Sequence, residues 1–62
     1  MTDPFAAAQF LSDHHARTLT HEKHKSYKLD TYILDNGERW VCFTSFLQDA
    51  PEPEFLLQKE QL

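Results

Sequence analysis

A chain of 62 residues makes one domain at most, and folding removes only about 60% of the surface so short a chain exposes when unfolded, so its own core is marginal. The single cysteine, Cys42, excludes an internal disulfide, and a formal charge of −4 excludes a chain drawn as a whole to DNA. The longest apolar runs fall far short of the roughly 20 residues that span a bilayer, which predicts a soluble protein with no membrane partner. The opening MTDPFAAAQF has neither the basic start nor the continuous apolar stretch of a secretory signal, so a reducing, cytoplasmic setting is expected. A metal or self-association remains as a way to complete the fold.

Helix signals come first in the chain. Thr2 or Asp3 suits the cap, Pro4 suits the first helical position, and an alanine run follows. A helix of about 15 residues would gather Phe5, Ala8, Leu11, Ser12, His15, Ala16 and Leu19 on one side and fray by Thr18 to Thr20. Phe10 falls off that stripe, either widening the core face or making an exposed contact. Next, THEKHKS has no apolar periodicity and reads as a polar connection.

The segment YILDNGERWVCF carries the clearest signal. Asn36-Gly37 is the preferred pair for a two-residue type I′ turn, flanked by β-branched and aromatic residues. With that turn Ile33 faces Trp40, Tyr32 faces Val41, Thr31 faces Cys42, Leu29 faces Thr44 and Tyr27 faces Phe46. Alternation then predicts a core face of Tyr27, Leu29, Thr31, Ile33, Trp40, Cys42, Thr44 and Phe46. The second face carries Tyr32, Leu34, Val41, Phe43 and Leu47 among Lys28, Asp30, Arg39 and Ser45, too apolar for water alone. A three-residue turn with a bulge would shift the register and exchange residues between faces. One helix covers one face of a two-stranded ribbon, so a homodimer is expected to cover the other, by joining hairpins into a four-stranded sheet or packing them face to face.

The last segment, DAPEPEFLLQKEQL, opens with Pro51 and Pro53 and continues as an extended or two-turn helical acidic tail. This divides the chain into a helix-plus-hairpin domain, residues 1–48, and a tail, residues 49–62. Phe55, Leu56 and Leu57 would fold on a partner groove, or dock on the chain's own domain.

His14, His15, His21 and His24 invite a metal, but adjacent His14 and His15 diverge and Cys42 is the one thiol, so no metal or other cofactor is expected; the histidines are read as solvated, or His15 as packed on the helix stripe. Cys42 has no histidine fixed near it in sequence and reads as a small buried apolar residue, and the chain has no phosphate loop, so an enzyme is not expected. The expectation is an α+β fold, an N-terminal helix on an antiparallel hairpin completed by dimerisation. Its function would be to bind and modulate a larger protein, as an inhibitor or adaptor, through Tyr32, Leu34, Val41, Phe43, Phe55, Leu56 and Leu57. The alternative is a dimeric nucleic-acid-binding regulator using the stretch 14–28 and the ribbon, with Arg17, Lys23, Lys25, Lys28 and Arg39 on phosphate.

Overall fold

A computed structural model describes residues 1–46 and 54–61. Among these residues one helix, α1 (Pro4–Asp13), precedes four strands, β1 (Arg17–Lys23), β2 (Tyr27–Ile33), β3 (Arg39–Ser45) and β4 (Phe55–Lys59), which pair antiparallel in the order β1-β2-β3-β4. The expected α+β class and the expected β2–β3 hairpin are present, inside a sheet of four strands where two were expected.

The start of α1 follows its sequence signals. Asp3 caps it, its carboxylate accepting the Phe5 backbone N–H at 2.9 Å, and Pro4 opens the first turn. Its end comes earlier than the stripe suggested. His14 is the C-cap, His15 sits at φ 50, the Ala16 N–H reaches the Leu11 carbonyl at 2.9 Å and the His15 N–H reaches Ser12 at 3.1 Å. These two bonds are a Schellman motif with histidine where glycine usually stands. A side chain in the left-handed region costs about 1 kcal/mol, so His15→Gly is expected to stabilise the fold by roughly 0.5–1 kcal/mol, read as a higher denaturant midpoint.

The buried stripe of α1 is rotated from the expected one. Ala7 is 1% exposed and packs with Phe10 and Leu11 against the sheet, whereas Phe5 is 87% exposed and His15 is also in solvent. Phe10 decides the rotation: its ring lies 4.7 Å from that of Trp40, and Ala7, one turn earlier on the same side, is small enough to let the helix approach.

β1 corrects the reading of the stretch after the helix as a connection. Every residue in it is exposed, so no apolar alternation marks it. The backbone ladder to β2 holds it instead, from Arg17↔Ile33 to Lys23↔Lys28, with an irregularity between Thr18 and Thr20. A charged, bulged strand of this kind suits a sheet edge.

The β2–β3 turn has three residues, Asp35 to Gly37, closed by the Leu34 N–H to the Glu38 carbonyl at 2.9 Å and the Gly37 N–H to the Leu34 carbonyl at 3.0 Å. Of the three only Gly37 has positive φ, at 87, while type I′ needs two such residues. The two-residue turn and its register are thereby overturned in favour of the bulged alternative. Pairing runs Ile33↔Arg39, Tyr32↔Trp40, Thr31↔Val41, Asp30↔Cys42, Leu29↔Phe43, Lys28↔Thr44 and Tyr27↔Ser45. A one-residue slip turns a whole strand over. Trp40, Cys42 and Thr44 keep the helix side, but their partners are Tyr32, Asp30 and Lys28 rather than Ile33, Thr31 and Leu29. Phe46, expected in the core, is 41% exposed.

Phe55 to Lys59 form β4, not a helical tail, with Cys42↔Leu57 and Phe43↔Leu56 in register. Leu57 is 0% exposed and joins Ala7 and Cys42 at the centre of the core. The segment thus docks on its own sheet. The boundary at 48/49, Leu47, Pro51 and Pro53 lie outside the described residues. The outer edge of β4 is closed at Leu57, whose N–H and carbonyl both pair with Met1 at 2.8 Å.

Candidate functional site

The helix covers the more polar side of the hairpin. Beneath α1 lie Lys28, Asp30, Tyr32, Cys42, Thr44 and Phe55, which with Pro4, Ala7, Ala8 and Leu11 line a small open pocket. By strand alternation the opposite side carries Tyr27, Leu29, Thr31 and Ile33 from β2, Val41 and Phe43 from β3, and Leu56 from β4. All seven are half-buried, and no described element lies over them.

Four cross-strand rows build this open face. Arg17, Ile33, Arg39 and Glu60 form the row nearest the β2–β3 turn, since the Glu60 N–H bonds the Arg39 carbonyl at 2.9 Å. Thr20, Thr31, Val41 and Gln58 come next, then Glu22, Leu29, Phe43 and Leu56. His24, Tyr27, Ser45 and Glu54 close the far end, joined by His24 N–H to Tyr27 and Ser45 N–H to Glu54, each at 2.8 Å. Tyr27 anchors that end: its ring stacks on His24 at 4.4 Å and meets Phe43 at 5.6 Å. A shallow depression at the β4 side is lined by Thr2, Phe43, Glu54, Phe55 and Leu56. The face is apolar along its middle, with Arg17, Glu60 and Glu54 charged at three corners and His24 at the fourth.

The residues expected to meet a partner are therefore divided. Val41, Phe43 and Leu56 lie on the open face; Tyr32, Phe55 and Leu57 lie on the helix side, and Leu34 is buried at the turn. Tyr27, Leu29 and Ile33 were expected in the core, and only the length of the turn distinguishes that placement from the observed one. The five cations expected on phosphate are scattered. Arg17 and Arg39 flank Ile33 at one end of the open face, Lys23 and Lys28 pair on the helix side at the opposite end, and Lys25 lies between β1 and β2.

Three histidines stand beside carboxylates rather than beside one another. His21 Nδ1 bonds Asp30, whose buried carboxylate faces the helix side; His14 lies 3.6 Å from Asp35, and His24 lies 3.8 Å from Glu22. Among the described residues no three potential metal ligands converge. Cys42 stays a thiol: burial pushes its pKa up, Thr44 pulls the other way by hydrogen bonding, and the Asp30 charge adds to the rise. That environment is the reverse of the one that activates a nucleophile.

Glu38 ties the turn to β4. Lys59 donates to its carboxylate at 2.6 Å and Asn36 Nδ2 at 3.0 Å, and these two bonds hold its pKa below the usual carboxylate range. The indole N–H of Trp40 is buried without a hydrogen bond, so its smaller influence on Glu38 is that of a nearby dipole. Because folded Glu38 binds its proton less readily than unfolded Glu38, its contribution is full above the unfolded value and lost as pH falls through the folded one. Glu38→Gln is expected to flatten that part of the acid unfolding curve, as followed by circular dichroism between about pH 5 and 2.

Among the described residues no helix is long and apolar enough to cross a membrane. No protein family, curated protein or solved structure matches the chain.

Proposed function

We propose that this is a small non-enzymatic interaction protein that binds and modulates a larger protein, as an inhibitor or adaptor, and that its associations are built on the open face of the sheet. The observation that supports this reading is the inversion of the hairpin. Its more apolar side, Leu29, Ile33, Val41 and Phe43 around Thr31, continued by Leu56 of β4, faces away from α1, the one helix among the described residues. A sheet in water on one side ordinarily shows polar residues there. An apolar middle with a charged border is the composition of a protein interface. Dividing the five cations between two faces and two ends favours this reading over nucleic acid, which needs phosphate contacts on one continuous surface.

A photo-crosslinking amino acid at position 41, at the middle of the open face, tests it in native cell extract, with position 5 on the exposed side of α1 as control. Nuclease-resistant, protein-sized adducts from position 41 in excess of position 5 are the expected result. Equal yields at the two positions, or adducts that disappear with nuclease, would overturn it.

A further inference from the structure

The charged corners of the open face are arranged to receive the same face of another copy. Resting on the reading that this face is an interaction surface, we infer that its occupant is a second copy of the chain, packed face to face about a two-fold axis parallel to the strands. Such an axis keeps each row opposite itself and reverses the strand order, so that β1 lies over β4 of the partner and β2 over β3.

Each row then meets its complement. In the row nearest the β2–β3 turn, Arg17 stands over the partner's Glu60, and Ile33 over the aliphatic stem of the partner's Arg39. In the next, Thr20 stands over the partner's Gln58 and Thr31 over the partner's Val41. Leu29 meets the partner's Phe43 in the third, and at the far end His24 meets the partner's Glu54. Glu22 is the one poor match, opposite the partner's Leu56, and it already has His24 at 3.8 Å within its own chain. The other two-fold that brings these faces together lies across the strands and reverses the rows. It would set Glu60 against the partner's Glu54 and leave Arg17 with no acidic residue opposite. Like charges placed opposite one another disfavour an arrangement strongly, so the charge pattern selects the first axis. The aligned packing of two sheets, at about 30°, moves the corners by only a few ångströms and keeps these rows in register.

Edge-to-edge joining fits less well. β1 is charged and bulged, and the edge of β4 is closed at Leu57 by Met1. A dimer joined by the open faces leaves both β1 edges outside, where a larger protein can reach them.

Sedimentation equilibrium of the purified chain, from about 1 to 300 μM, tests the inference. The expected result is a concentration-dependent approach to twice the 7.3 kDa chain mass. Thr31→Lys, a change at an already polar and half-buried position, should abolish the dimer while circular dichroism shows the fold retained. Arg17→Glu and Glu60→Arg should each weaken association about tenfold, and the two together should restore it. The two positions lie at opposite edges of the sheet, so restoration can arise only between copies. A mass of 7.3 kDa throughout would overturn the second copy while leaving the open face as a surface for another protein, which the adducts from position 41 report independently. A dimer indifferent to Thr31→Lys would overturn the choice of face. A dimer lost with Thr31→Lys but not restored by the double charge exchange would overturn the axis.

Discussion

Replacing Trp40 with alanine is expected to unfold the protein. Its ring lies 4.7 Å from that of Phe10 and packs on the small core of Ala7, Cys42 and Leu57, so it is the main link between α1 and β3. Truncating a core tryptophan costs about 3–5 kcal/mol. Two features place this site toward the lower end of that range: Trp40 is half-buried, and its buried indole N–H has no hydrogen bond to lose. Even about 3 kcal/mol is decisive, since a chain of this length has a total stability of roughly 3–9 kcal/mol. Trp40→Phe removes the unpaired N–H and keeps an aromatic ring against Phe10, so it should cost less than about 1.5 kcal/mol. Far-UV circular dichroism and denaturant titration separate the two variants. An alanine variant that keeps its cooperative transition within about 1 kcal/mol of the parent would mean that the helix is held by other contacts.

How much of this was legible in the sequence depended on which force shapes each element. The start of α1 and the existence of the β2–β3 hairpin rest on local chemistry, a cap, a proline and a turn dipeptide, and both were readable. The register was not. Asn36-Gly37 serves a two-residue turn and also a three-residue turn with glycine in the left-handed position, and the two differ by one residue of pairing. Side-chain pattern pointed the wrong way at this point, because setting Tyr27, Leu29 and Ile33 on the same face as Trp40 and Cys42 would bury more apolar surface under the helix. The structure instead puts Asp30 there, beside His21, a residue whose partner lies on a strand that pattern did not reveal. β1 escaped because every side chain in it is exposed, leaving the backbone ladder and the His21–Asp30 bond to define it. The open face is a consequence of both surprises, so its members could not be assembled before the turn length and the fourth strand were known.

Leu56 and Leu57 are adjacent in β4 and are expected to respond oppositely to the same substitution. From sequence alone Phe55, Leu56 and Leu57 formed one apolar group at the centre of a tail; in the sheet, alternation sends Leu57 into the core, at 0% exposure, and Leu56 to the open face beside Phe43. Leu57→Ser removes the most buried side chain of the core and leaves a hydroxyl in its place. A leucine-to-alanine change at such a site costs about 2–5 kcal/mol, and an unpaired buried hydroxyl adds about 1–3 more. That total exceeds what a chain of this length can lose, so Leu57→Ser should be unfolded, with no cooperative transition by circular dichroism. Leu56→Ser exchanges a half-buried side chain on the uncovered side for a small polar one, at a cost of about 1 kcal/mol, and should leave the fold in place. In the proposed dimer Leu56 stands opposite the partner's Glu22, at the edge of the apolar middle, so the serine should also leave association within about threefold of the parent by sedimentation. Equal destabilisation by the two serines would place Leu56 in the core as well, and would mean that the face proposed for a second copy is already covered by the chain itself.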